Sequence, residues 1–190
     1  MRYLAIHHTA VSRERQRVQL YAVNRYHEQK WGMRSSLGWY VGYNDFIDVS
    51  GILTHTREWG EETVAVQGHN CDVPERCDTI SVCIAGNFNR ELPVDMQIWT
   101  LRNYIAKVRA KYPGIRVVFH RDLQPNRTCA GMLFTDEYLR RRILQEGLQR
   151  DDPVDEEKEK EISQHSHISD TVRALLPFYR LLLAKLKIKK

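Results

Sequence analysis

Short apolar runs alternate with segments of helical period along this chain, and that alternation leaves few folds open. Residues 2–8 read as a strand. Residues 14–30 read as a helix, with Val18, Tyr21, Ala22 and Tyr26 at helical spacing. Residues 39–49 and 51–56 read as paired strands around Gly51, followed by a loop-rich stretch from 57 to 78. Residues 79–86 form a short apolar strand. Pro93 sits where a first helical turn tolerates it, and Ile98, Leu101, Ile105 and Val108 carry the helical period onward. Pro113 and Gly114 break that helix before the strand IRVVF, and Thr135 is the expected N-cap of a third helix over 136–149. Strands that alternate with helices predict an α/β fold, a sheet with helices packed on its faces.

Charge and composition divide the chain. Its 190 residues suit one domain with an extra piece, and 42% hydrophobic residues suffice for a sizeable core. The segment RDDPVDEEKEKE carries a proline and a dense run of mixed charge, which places a boundary near residue 150. The expected organisation is a domain over 1–150, a charged linker over 151–162 and a basic amphipathic helical tail over 163–190. Residues 151–190 are electrically neutral in sum, so the net charge of +5 belongs to the domain. That balance suits an anionic polymer, nucleic acid included, but no regular basic-aromatic run of the single-strand-binding kind is present. A nucleic-acid partner is therefore not expected, and a monomer is.

In the tail, Val172, Leu175, Leu176, Tyr179, Leu182, Leu183 and Leu186 recur at helical spacing, interrupted by Pro177. Arg173, Arg180, Lys185, Lys187, Lys189 and Lys190 supply charge. The stretch is too short and too charged to span a bilayer. Two readings stay open: a helix lying on an anionic membrane surface, or one that folds back and completes the packing of the domain.

Three residues carry the chemistry. His7 ends the first strand in LAIHHTA, and His120 and Cys129 bound the stretch HRDLQPNRTC. Nitrogen and sulfur donors of this kind suit zinc, and three of them leave a fourth tetrahedral position for water. His7 and His8 point to opposite sides of a strand, so only one of them faces a cleft. His120 projects from the end of IRVVF, which suits a ligand. Arg121 and Asp122 are expected to organise the loop, with Asp122 a candidate to orient a ligand from behind. Among the other cysteines, Cys83 lies in the apolar run TISVCIAG and reads as a buried thiol. Cys71 and Cys77 bracket CDVPERC. A small disulfide or a second metal site with His69 is open to them, and free thiols are the expectation for a cytosolic product.

The ordered series of motifs adds a family. LAIHHTA, NRYHEQKWG (24–32), GWYVGYNDFIDVSG (38–51), QGHN (67–70), TISVCIAGNF (79–88) and HRD…TCAG (120–131) occur in that order. Over about residues 2–148 the chain resembles the zinc-dependent N-acetylmuramoyl-L-alanine amidases of the type-2 class. That class includes phage lysozyme-type amidases and the peptidoglycan recognition proteins. The resemblance implies a mixed central sheet flanked by about three helices, and peptidoglycan as the partner. It assigns zinc to His7, His120 and Cys129, and a catalytic phenol to Tyr43, eight residues before Gly51, with Tyr40 the competitor. It makes Arg127 the counterpart of a Lys or Thr two positions before the metal cysteine. Arginine stays charged, so it suits an oxyanion and cannot shuttle a proton.

The departures are Ala130 for the usual proline, expected to loosen the loop, Asn44 for a histidine after the strand tyrosine, and Ala65 for another histidine. The resemblance implies cleavage of the bond between N-acetylmuramic acid and L-alanine by zinc-activated water. Alternatives within the class are a module that binds peptidoglycan without cutting it, which typically lacks the cysteine, and a cytosolic recycling amidase, which usually carries Asp there. No signal peptide precedes the first strand, so cytoplasmic synthesis is expected, followed by holin-type release to the wall as for a phage endolysin.

Overall fold

The structure, a computed structural model, describes residues 1–15 and 19–144. The sheet has five strands: β1 (Tyr3–His8), β2 (Asp45–Ile47), β3 (Leu53–His55), β4 (Thr79–Ile84) and β5 (Arg116–Phe119), in the order β3-β2-β4-β1-β5. β1 pairs parallel with both β4 and β5, β2 pairs parallel with β4, and only β3 runs antiparallel, against β2. The mixed sheet is thus present. The parallel centre accounts for the continuous apolar character of TISVCI, since both faces of β4 are covered and every one of its residues is buried.

Helices α1 (Leu20–Trp31) and α2 (Asp95–Lys111) cover the two faces. Alternation along each strand sends Leu4, Ile6, Ile80, Val82, Ile84, Ile47 and Phe119 to one side. There they meet Ile98, Leu101, Tyr104, Ile105 and Val108 of α2. Full burial of each such side chain contributes about 1.5–3 kcal/mol, so this face supplies most of the driving force. The opposite side is smaller and more polar. Phe46 and Cys83 pack on Val23 of α1, and Ala5 and Val118 pack on Ala65 and Val66. His7 belongs to this second face, with Cys83 as its register partner.

Several boundaries differ from the periodicity. The first helix begins at Leu20 rather than 14 and ends at Gly32, whose φ of 63° closes it. Residues 39–44 do not join the sheet. Tyr40 N–H donates to Asn24 Oδ1 (2.7 Å) and Gly42 N–H to His27 Nδ1 (2.9 Å), so the chain is tied to α1 until Asn44. Pro93 lies one residue ahead of the N-cap Val94. Gln97 then anchors α2, donating from Nε2 to Asp48 O (2.9 Å) and Ala85 O (2.8 Å). Gly51 is required where it stands: its φ is +86°, and a Cβ there would lie 2.9 Å from the Met96 backbone.

Thr135 is the N-cap of α4 (Asp136–Tyr138), its hydroxyl accepting from Tyr138 N–H at 3.1 Å. The third helix then continues as a π-helical turn over Leu139–Leu144. The linker and the amphipathic tail lie outside the described residues. No helix among the described residues is long and apolar enough to cross a membrane.

The expectation of free thiols at Cys71 and Cys77 is corrected. The two are joined in a disulfide, because the 3-10 turn Pro74–Arg76 folds the chain back between them and brings their Cα atoms to 3.7 Å. Cys83 is a free, buried thiol, as its apolar surroundings require.

Candidate metal centre

The three predicted donors come together although more than a hundred residues separate the first from the others. His7 is the penultimate residue of β1, and His120 follows β5 directly as the first residue of α3 (His120–Leu123). Cys129 lies in the loop beyond. One donor atom from each falls within 4.8 Å of the others. The cluster sits at the carboxyl ends of adjacent parallel strands, where open α/β sheets carry their sites.

The ring nitrogens of His7 are not alike. Nδ1 lies 3.8 Å from Cys129 Sγ, whereas Nε2 is buried with no hydrogen-bond partner among the described residues. A buried nitrogen left unpaired is costly and calls for a partner that none of the described residues supplies. Burial, then the proximity of His120 and of His8, pushes the His7 pKa well down. Burial likewise lowers that of His120, partly opposed by Gln124 and reinforced by Arg127. Both rings are therefore neutral, the state in which imidazole donates to a metal. Burial pushes the Cys129 thiol up to about 11, against the pull of the His8 N–H, Arg121 and Arg127. A bound cation reverses that balance, since a coordinating thiol is deprotonated outright. Neutral imidazoles, one thiol and an unpaired buried nitrogen make a donor set that fits zinc.

His8 faces the other way, as strand alternation demands. Its Nδ1 accepts from Phe88 N–H (3.0 Å), while its own backbone N–H points at Cys129 Sγ (3.4 Å). It therefore supports the cluster without joining it.

The cysteine loop is fastened more firmly than the loss of proline suggests. Ala130 is fully buried, and Arg121 N–H donates to Cys129 O (2.7 Å). The Arg121 guanidinium holds Gly131 O and Phe134 O, each at 2.9 Å, and lies 4.1 Å over the Phe119 ring. Arg121 thus organises the loop as expected. Asp122 does not orient a donor. Its carboxylate accepts from Phe119 N–H at 2.7 Å and caps the short helix α3. Gln124 takes the role suggested for it, with Oε1 2.7 Å from His120 Nε2.

Tyr43 and Tyr40 separate clearly. The Tyr43 ring stands 5.1 Å from the His7 ring and 5.6 Å from that of His27. Burial, reinforced by the nearby Cys83 and Cys129 thiols, raises its pKa well above the usual value, so the phenol keeps its proton. Tyr40 has its backbone tied to α1, and among the described residues no ring contact joins it to the cluster. Arg127 is exposed, yet close enough for its charge to act on both His120 and Cys129. Asn44 stands just ahead of β2 and braces it against its neighbours: its Oδ1 accepts from Ser81 N–H and its Nδ2 donates to Glu58 O, both at 2.8 Å. Ala65 is buried core.

Sequence reasoning missed Arg57, which is 1% exposed. Its guanidinium donates to Val41 O (2.6 Å), Glu62 O (3.1 Å) and Met33 O, pinning the segment that carries Tyr43. An arginine in a loop-rich stretch gives no such signal. His27 was legible only as a helix residue, yet burial holds its pKa down at about 4, and Lys30 and Arg57 add to the effect. In the neutral state its Nδ1 accepts from Gly42 N–H. The unfolded chain takes up a proton near pH 6.5 and the folded chain resists until about 4, so stability present above pH 6.5 is lost as pH falls through that window. The His27 share is on the order of 3 kcal/mol. Guanidinium unfolding of wild type at pH 7 and pH 4.5 should show the loss, and His27→Gln should shrink it. An equal drop in the variant excludes His27 as its source.

Comparison with known proteins follows the same lines. The profile of the N-acetylmuramoyl-L-alanine amidase family matches residues 1–132. No curated protein sequence matches. Among solved structures, the chain is similar to the N-acetylmuramoyl-L-alanine amidase LysC from Clostridium intestinale URNW. The identity is 21%, over 76% of this chain and 85% of that one, with a TM-score of 0.59. It is also similar to the Ph2119 endolysin from the Thermus scotoductus MAT2119 bacteriophage, at 19% identity over 74% and 82% of the two chains, TM-score 0.59. A Drosophila PGRP-LB variant in complex with tracheal cytotoxin is 17% identical over 72% and 79%, TM-score 0.56. At these identities the structural likeness concerns the fold.

Proposed function

Because this chain belongs to the N-acetylmuramoyl-L-alanine amidase family, we propose that it cleaves the amide between N-acetylmuramic acid and L-alanine in peptidoglycan, using zinc held by His7, His120 and Cys129. The observation that carries this reading is the convergence of His7, His120 and Cys129, one donor atom from each lying within 4.8 Å of the others. When bound, zinc supplies a water of lowered pKa and polarises the scissile carbonyl.

The chain's own residues do the rest. His7 and His120, held neutral by burial, offer lone pairs rather than positive charge. The fastened loop 129–131 fixes the thiol. Tyr43 presents a phenol beside His7, from which it can donate to an oxyanion on the amide carbon. Arg127, always charged, adds a second electrostatic contact at the rim and transfers no proton. The leaving alanine amine requires a proton, and Tyr43 is a group suited to relay one.

The complete donor set favours hydrolysis over binding without cleavage, since the non-cutting members typically lack the cysteine. A role as a phage endolysin, released to the wall through a holin-type pore, draws support from the likeness to the Ph2119 endolysin and from Cys129 standing where recycling amidases usually carry Asp. The basic tail is proposed to bring the enzyme to an anionic membrane surface.

The test is turbidity loss of purified peptidoglycan with and without a strong chelator, followed by mass spectrometry of the released ends. Clearing that stops on chelation, resumes with zinc and exposes new L-alanine amino termini is the expected result. Cleavage of glycosidic bonds or of peptide cross-links instead would defeat the assignment.

A further inference from the structure

Resting on the zinc reading above, we propose that Gln124 is a positioning residue that fixes the tautomer and the tilt of His120 for metal binding. His120 opens α3 and Gln124 is its C-cap, four residues on, so the two side chains lie over one another on the same side of a single turn. The backbone closes that turn independently, with Gln124 N–H donating to His120 O at 3.0 Å. Gln124 Oε1 is 2.7 Å from His120 Nε2. A carbonyl oxygen only accepts, so Nε2 must carry the hydrogen and Nδ1 keeps the lone pair. Nδ1 is then the nitrogen free to join His7 and Cys129.

The arrangement replaces a carboxylate by a neutral amide. A metal-binding imidazole usually donates its second N–H to a carboxylate, a carbonyl or a water, which orients the ring and raises its basicity. The nearby carboxylate, Asp122, is already committed to Phe119 N–H and leaves this place to Gln124. An amide orients the ring as well as a carboxylate does but adds no negative charge. The donor set thus keeps the single formal charge of the Cys129 thiolate. Gln124 lies at the edge of the cluster, only partly buried, so its replacement leaves the core untouched.

Zinc affinity separates positioning from a purely structural role. Zinc affinity is measured by competition with a fluorescent chelator on the full chain, alongside thermal melts of the metal-free protein and the kcat and KM of hydrolysis. Gln124→Leu should lower zinc affinity about 10–100-fold and reduce kcat, with KM and the metal-free melting temperature unchanged. Gln124→Glu restores an acceptor at the same reach and should hold zinc at least as tightly as wild type. Zinc affinity in Gln124→Leu within about twofold of wild type overturns this inference alone, as does a Gln124→Glu variant that fails to recover it. A wild-type chain that binds no zinc overturns the metal reading and this inference with it.

Discussion

Cys129→Ala loses its zinc and, with it, all measurable hydrolysis of peptidoglycan, while the fold of the metal-free protein persists. The cysteine supplies the sulfur donor of the cluster, and the two imidazoles that remain leave half of a tetrahedral shell to solvent. Its side chain is not a large part of the core. The loop is held instead by Ala130, by the guanidinium of Arg121 and by Gly131, where a Cβ would lie 2.3 Å from the Phe88 backbone. The difference between the proteins therefore appears only when zinc is added. At zinc about a hundredfold above its dissociation constant, wild type gains about 2.7 kcal/mol of stability. For a domain of this size that raises the melting temperature by roughly 5–10 °C. The variant should show no rise. Elemental analysis and paired melts with and without zinc check this, and full zinc occupancy in Cys129→Ala would sink the ligand assignment.

How much of this could be read in the chain depends on which physical signal each residue carries. His7, His120 and Cys129 were legible because their donor chemistry is written in the residues and the ordered motifs single them out from the other histidines and cysteines. The five-stranded architecture was legible for the same reason: TISVCI and IRVVF are too apolar to be anything but buried strands. What the sequence hid was decided by tertiary hydrogen bonds. GWYVGY has the composition of a strand, yet Asn24 and His27 of α1 take N–H groups of Tyr40 and Gly42, and the chain enters the sheet only at Asp45. Arg57 looks like a loop cation and is a buried clamp on three carbonyls. Asp122 and Gln124 both stand near His120 in sequence. Only the pitch of α3 shows that the carboxylate turns back to cap Phe119 while the amide reaches the imidazole. Free thiols at Cys71 and Cys77 are what cellular compartment alone suggests, an argument that says nothing about how the chain folds back over Pro74–Arg76 to join them.

Tyr43→Phe should bind zinc as wild type does and lose turnover by a factor of about 10²–10³, the usual cost of removing one donor to an oxyanion. The ring packs against His7 on the second side of the sheet, and burial keeps the phenol protonated. A protonated phenol that meets a developing negative oxygen gains a charge-assisted bond. Phenylalanine keeps the ring and loses only the hydroxyl, so it leaves the packing against Val23, Phe46 and Cys83 in place and the melting temperature nearly unchanged. The loss must therefore appear in kcat with little change in KM, because the donor acts on charge that exists only on the way to the transition state. Tyr40→Phe, remote from the cluster, should behave as wild type. Arg127→Ala should slow the reaction less than Tyr43→Phe, since an exposed guanidinium works through solvent. Near-normal kcat in Tyr43→Phe, together with an inactive Tyr40→Phe, would transfer the role to the other tyrosine. Loss of zinc from Tyr43→Phe would instead mean that the phenol holds the His7 ring in place rather than serving the reaction.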